Sequence, residues 1–576
     1  MRRFVQSVPA PGDPYRDDPL LRSWLDRLLA DDGHGAAADR LTALSTRVRD
    51  ELRDAHHDAE NHPPVLHRYG PWGERIDRID TSPGWRRQAR AAVEHALVAL
   101  PYQDQARRRW GAAARVVQHA LLHLYGPESA TYSCPVAMSD GAAALLSRDD
   151  VDPAVRDAWL PRLLSTDPDT AVHSGQWMTE AQGGSDIARS TTTAVPAGDG
   201  SWRLTGEKWF CSAADAPIAI ALARPAGAPD NSSRVLAPFL VPRYAQDSPL
   251  AAPHARPTDP APGVRIHRLK DKLGTRALPT AEIGLRDAYA LPVGDPTTPG
   301  LARMMTLVVV TRLHNAAAAA GGMRRGLTYA VDYASCRQIA GGLLLNDPLH
   351  RATLAQLAVD TAAAFLLAGH AFALLGRVEV DGDPDAAAEL RLVAPVAKIA
   401  TGRWAVTAAS EYVECFGGAG YVEDTGVPRL LRDAQVLPIW EGTSNVLSVD
   451  VLRALRHDPK QAHRLLHRLD NACDTLSGLH ALPGAVDALA AARADLAATL
   501  VDVDADPTAA RAAARDLALR LADALTAALL AEHAAWAAPR GDDTATLLAA
   551  LWSIRRLARR DIAAVAARHS HTLLAR

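Results

Sequence analysis

The chain has 576 residues, with 63 Lys and Arg against 66 Asp and Glu and a formal charge of −3. That length provides for about three or four domains and a large core, and the charge balance excludes a whole-chain attraction to nucleic acid or anionic lipid. Five scattered cysteines (Cys134, Cys211, Cys336, Cys415, Cys473) with no C-x-x-C pair exclude a disulfide framework and cysteine-type metal spacing. No metal is expected, and a reducing cytoplasm is the expected location. The start, MRRFVQSVP, lacks the apolar stretch of a signal peptide.

Leu20, Leu21, Trp24, Leu25, Leu28 and Leu29 recur at helical spacing, as do apolar positions in 91–100 and 112–124. A helical domain is therefore expected over 1–168, with loops at 31–35 and 61–73. From 169 to 298 the pattern changes to short, turn-bounded apolar runs at 170–174, 191–195, 202–204, 218–223, 236–241, 263–266 and 281–285. These predict a small β domain, with the Pro-rich stretch 247–262 as a surface loop. Helices return over 299–456, at 301–337, 348–377, 385–414 and 444–455. A further helical extension fills 457–576, divided at 502–507 and 539–543. The most apolar run, 304–323, contains Arg312, His314 and Asn315, so it reads as a buried helix and not a membrane span.

Residues 437–445 (LPIWEGTSN) set one carboxylate, Glu441, between Ile439-Trp440 and a glycine-led turn. Such a carboxylate should be poorly solvated, which suits a general base. The alternative is a Glu that caps the helix starting near Thr443. Three other segments bear on the choice: 176–186 (QWMTEAQGGSD), 202–212 (WRLTGEKWFCS) and 415–421 (CFGGAGY). Taken in order, the four resemble the acyl-CoA dehydrogenase superfamily of flavoenzymes. The extension past Arg456 resembles its AidB-like, adaptive-response branch. The resemblance covers roughly residues 15–456.

It implies a mainly α fold with a central β-barrel: an N-terminal helical domain, the β domain, a C-terminal four-helix bundle, and here the extension. It also implies non-covalent FAD. By resemblance, Met178 and Thr179 line the pyrimidine side of the flavin, Ser185 lies near the pyrophosphate, and Gln176 and Gly184 belong to the same cofactor-binding segment. Phe210 would pack on the ring and Ser212 would face N5. Arg337 resembles the arginine that reaches the pyrophosphate across a subunit boundary, a role suited to a bidentate donor; the alternative is an exposed helix-terminal arginine. Glu414, Gly417 and Gly418 match the turn at the adenosine half, and Gly442, Thr443 and Asn445 complete the site at a helix N-terminus. The chain departs from the pattern at Ala340, where relatives carry Phe, which implies a looser FAD or a differently placed adenine.

The family takes its base from the position of Glu441 or from that of Thr311. Threonine is no base at neutral pH, so Glu441 is the candidate. It would remove the proton α to an acyl carbonyl while hydride passes from Cβ to flavin N5, with the backbone N–H of the Glu and a ribityl hydroxyl stabilising the enolate. Arg312 accompanies Thr311, and an ion pair with a bundle acid explains it equally well. His314 is more often a hydrogen-bonded core residue than a substrate contact. The resemblance further implies a homo-oligomer, a tetramer, with an acyl substrate and an electron-transfer flavoprotein or oxygen as acceptor. DNA ranks second as a partner. Residues 451–576 hold 16 Lys and Arg against 14 Asp and Glu, and the run Arg555, Arg556, Arg559, Arg560 suits an ion-paired or solvated helix face. A third reading is a tailoring flavoenzyme that oxidises a small acid or a C–N or N–N bond.

Overall fold

The computed structural model describes residues 5–229, 232–244, 261–502 and 506–575. The chain divides into two compact units: Arg47–Asp104 with Glu128–His314, and Met1–Thr46 with Gln105–Pro127 and Asn315–Arg576. Most of the expected 247–262 loop, namely 247–260, lies outside the described residues.

The first unit is built on a β-barrel. Its strands are β3 (Ser174–Trp177), β4 (Thr193–Pro196), β5 (Trp202–Ser212), β6 (Ile218–Pro225), β7 (Ala237–Pro242), β8 (Val264–Leu269) and β9 (Thr280–Pro292). The ring β6–β4–β5–β9–β7 closes through a β6–β7 pairing, while β3 adds to β6 and β8 to β9. Strand β6 shows why a near-continuous apolar run sits here. Ala219, Ala221 and Ala223 point into the barrel with Leu204, Phe239 and Ile283. Ile218, Ile220 and Leu222 point the other way, onto Val155, Trp159, Met304 and Leu307 of flanking helices. Successive side chains thus enter two different cores, and both must be apolar.

The expected all-helical 1–168 stretch is corrected by a hairpin, β1 (Val65–Tyr69) and β2 (Arg75–Asp80), where a loop at 61–73 is predicted. Leu66 and Ile79 pack it against the barrel core, and Asp77 accepts the Ile266 N–H of β8 at 2.9 Å. Its alternation is carried by few apolar residues, in RIDRID for instance, so period two is barely visible.

The second unit is helical. Its long elements are Pro348–Gly376, Pro384–Cys415, Ser444–His457 and the part of Leu301–Cys336 from Asn315 onward. Lys460–Gly478, Ala485–Asp502, Pro507–Ala537 and Asp543–Trp552 form the extension. Starts are set by side-chain caps: Asp347, Asp383 and Asp506 each accept first-turn N–H groups ahead of a proline. The segment Pro348–Asp381 is apolar enough for a membrane span by composition, but 89% of its apolar window is buried in the protein.

Ion pairs fasten the extension to the bundle. Arg468 bridges Glu389 at 2.7 Å and Glu532 at 2.8 Å, and His370 lies 2.8 Å from the same Glu389. The basic run turns partly inward: Arg555 meets Asp360 at 2.7 Å, and Arg556 lies over the rings of Trp404 and Trp552.

Candidate active site

In the barrel unit, the 176–186 and 202–212 segments are brought together. The Trp209 N–H donates to the Thr179 carbonyl at 2.9 Å. Beside that bond, the buried ammonium of Lys208, which precedes Trp209, lies 2.9 Å from the carboxylate of Glu180, which follows Thr179. Glu180 also accepts from the backbone and hydroxyls of Thr191 and Thr192. Burial opposes its ionisation, yet Lys208 and these donors hold it down to about 2. Both residues stand inside the motif segments, an acid in one and a base in the other, a complementary pair that sequence reasoning passes over.

Gln176 ends its amide on the Met178 sulfur, with Nε2 at 3.1 Å, and its Oε1 is buried without a hydrogen-bond partner. Met178 is half-buried beside the β6 outer core. Gly184 and Ser185 lie on an exposed turn; a Cβ at Gly184 would come 2.9 Å from the Thr179 hydroxyl, so a bare backbone is needed there. Phe210 is 59% exposed, and the Lys270 ammonium lies 3.5 Å from the neighbouring Trp209 ring. Ser212 shares a 3.1 Å hydrogen bond with Thr280. An orphaned buried acceptor, a largely exposed aromatic ring and a bare glycine turn suit a planar, hydrogen-bonding nucleotide.

Thr311 is buried and donates to the Val308 carbonyl at 3.0 Å, occupied within its own helix. His314 is a core residue: its Nε2 lies 2.8 Å from the fully buried Asp140, which also accepts from the Tyr102 hydroxyl at 2.7 Å.

In the helical unit, Arg337 follows the end of Leu301–Cys336 and donates to the Gln6 amide oxygen at 3.4 Å. One turn earlier Tyr333 packs against Phe416, 4.6 Å between centroids with the rings tilted by 31°, which brings this helix end to the turn carrying Glu414, Gly417 and Gly418. Glu414 is exposed, and nothing stands within 4 Å of a Cβ placed on either glycine. Ala340 lies on an exposed two-residue hairpin next to Ile339.

Glu441 is half-buried with φ +56°, and Gly442 follows at +104°. A side chain held in the left-handed region costs about 1–3 kcal/mol, a cost concentrated at functional positions. Ile439 is 58% exposed, which corrects the expected apolar enclosure, while Trp440 is half-buried. The Trp440 indole N–H donates to Asn315, whose Nδ2 is buried with no hydrogen-bond partner. The helix cap is Thr443, whose hydroxyl accepts from Val446, so Glu441 is not a capping residue. Asn445 lies on the first turn and accepts from Arg515 of the extension at 3.5 Å. Lys398, fully buried, donates to the Gly442 carbonyl at 2.6 Å. A lone lysine in the apolar run 392–401 is the signal that could have found it.

Residues 298–455 match the acyl-CoA dehydrogenase C-terminal domain and 175–288 its middle domain, while 7–170 match the N-terminal domain of the adaptive response protein AidB. Acyl-CoA dehydrogenase family member 11 of Caenorhabditis elegans is 40% identical over 457 residues, 78% of this chain and 72% of that protein. The chain belongs to the acyl-CoA dehydrogenase family. The family's members are oxidoreductases acting on CH–CH donors. Within it, the putative acyl-CoA dehydrogenase AidB of Escherichia coli is 31% identical over 404 residues, 69% of this chain and 70% of its own. The crystal structure of C. elegans ACDH-11 in complex with C11-CoA superposes with a TM-score of 0.87 at 35% identity, covering 97% of this chain and 93% of that one.

Proposed function

We propose that the protein is an FAD-dependent acyl-CoA dehydrogenase in which Glu441 is the general base. The observation that carries this reading is the Glu441 turn: a carboxylate fixed in a left-handed conformation at the position where the family places its base. FAD, when bound, supplies N5 as the hydride acceptor. Glu441 takes the proton from the carbon α to the thioester, the β-carbon gives up its hydride, and a C=C bond forms. Gln176, Met178, Thr179, Phe210 and Ser212 would hold the flavin ring, and Gly184 and Ser185 its phosphates. Arg337, Glu414, Gly417, Gly418, Gly442, Thr443 and Asn445 would hold the remainder, with Arg337 serving a neighbouring copy in a homotetramer. The exposure of Phe210, the orphaned Gln176 oxygen and the open glycines at 417–418 support these roles. The reduced flavin would pass its electrons to an electron-transfer flavoprotein or oxygen.

An acyl-CoA is favoured as substrate because the relative solved with C11-CoA matches nearly the whole chain. The test is anaerobic bleaching of the FAD-loaded protein by C11-CoA, by the free C11 acid and by small amines. Bleaching by the CoA ester alone supports the reading. Bleaching by acids or amines alone would replace it with a tailoring oxidase, and a chain that takes up no FAD would refute both.

A further inference from the structure

We propose that Lys398 is a positioning residue for the Glu441 carboxylate: through the Gly442 carbonyl, its ammonium fixes the two-residue left-handed turn that aims the base. The inference rests on the reading of Glu441 as the base. Lys398 lies in the middle of Pro384–Cys415, its side chain fully buried. A buried ammonium is costly and is kept only where its donors are used. Here one donor goes 2.6 Å to a carbonyl that precedes the cap of the Ser444–His457 helix, where no helical N–H reaches it.

Glu441 at +56° and Gly442 at +104° form a turn that a side-chain-bearing residue leaves unless its surroundings enforce it. The surroundings do so at three points. Trp440 is held by Asn315. One turn along from Lys398, Gly402 lets its helix approach so closely that a Cβ there would sit 3.1 Å from the Leu437 carbonyl carbon. Lys398 closes the set from the same helix, on the residue directly after the base. Of the three contacts it alone is charge-assisted, the stronger class of hydrogen bond. A relaxed turn would keep Glu441 in the protein but let its carboxylate wander, and misplacement of a reacting group lowers the rate steeply.

The test uses the full-length chain. Lys398→Met keeps the aliphatic stem and removes the donor. Amide hydrogen exchange, read by mass spectrometry, should accelerate about 10- to 100-fold in the peptide spanning 439–445 and stay at the parent rate elsewhere in the helical unit. With C11-CoA and saturating FAD, flavin reduction should slow by a similar factor. Lys398→Met should cost nothing further in a Glu441→Gln background, which a merely structural role would not predict. Lys398→Gln, which keeps a donor, should lie between the two, and it carries the test if the Met variant does not fold. Unchanged exchange at 439–445, or exchange that rises evenly across the unit, overturns the proposal. If Glu441→Gln keeps the parent rate, the base reading falls, while the exchange result still decides whether Lys398 fixes the turn.

Discussion

Glu180 and Lys208, 2.9 Å apart and both buried, join the two barrel segments that carry the proposed flavin contacts. Neither residue is a candidate contact, yet Thr179 precedes one and Trp209 and Phe210 follow the other. The pair therefore sets the register of the residues around it. Lys208→Met leaves a buried carboxylate without its cation, and breaking one partner of such a pair costs about 3–5 kcal/mol. Thermal melting should fall accordingly, and FAD affinity with it. The pH dependence follows from Glu180, held at about 2, below the ordinary 4.5. A depressed carboxylate contributes stability that is present above pH 4.5 and lost as pH falls toward 2. That acid limb should be steep in the parent and shallow in Lys208→Met.

The basic run of the extension is tied to acids of the same unit. Arg556 lies 3.9 Å from both Asp360 and Asp523, and burial pushes Asp523 up to about 6 against the pull of Arg556. A raised carboxyl contributes stability present below its ordinary 3.8 and lost as pH rises through 6. Asp523→Asn cannot ionise and should melt higher than the parent at pH 8, by up to about 3 kcal/mol. The difference should vanish near pH 4. Melting curves at the two pH values check it.

The same contacts bear on duplex DNA. The double variant Arg555→Ala, Arg556→Ala should lower the melting temperature by removing ion pairs and ring contacts, and leave fluorescence anisotropy with a labelled duplex at the parent level. A large loss of DNA affinity at unchanged melting would restore DNA as a partner.

Much of the fold was legible because its signals are local. The β6 run, the Asp-Pro helix starts at 347–348, 383–384 and 506–507 and the glycine-led turn at 442 each carry their own chemistry. The 65–80 hairpin was not, because its two anchors, Leu66 and Ile79, are apolar only against a barrel that is distant in sequence. The setting of Glu441 was legible in part. Trp440 is half-buried, but which way Ile439 faces depends on the turn's φ angles, which sequence does not show. Lys398 and Lys208 were missed because a lysine announces itself as buried only once its partner, 44 or 28 residues away, is known.

Arg337→Ala should lower FAD occupancy more than Ser185→Ala, since a bidentate cation on a diphosphate outweighs one hydroxyl. If Arg337 serves a neighbouring copy in the proposed tetramer, its loss should also weaken that assembly, and Gln6→Ala, which frees the guanidinium from its 3.4 Å contact, should do less. Flavin absorbance after gel filtration and sedimentation velocity read the two effects. A monomer with full FAD occupancy would count against the shared site.

Glu441→Gln should keep the fold and bind FAD as the parent does, yet lose flavin reduction by C11-CoA about 10²-fold or more, the usual scale for removing a general base. The amide matches the carboxylate in volume, so the left-handed turn and the Lys398 contact at Gly442 have no steric reason to change. Its oxygen accepts a hydrogen bond but not a proton, which isolates the proton-transfer step. No substitute stands at the family's other base position, because Thr311 is a hydroxyl engaged with the Val308 carbonyl. Nor is His314 free to step in, since its Nε2 is committed to Asp140. Stopped-flow absorbance under anaerobic conditions separates this step from reoxidation. Reduction at the parent rate would make Glu441 a structural residue, and the α-proton chemistry would have to be sought elsewhere on the chain.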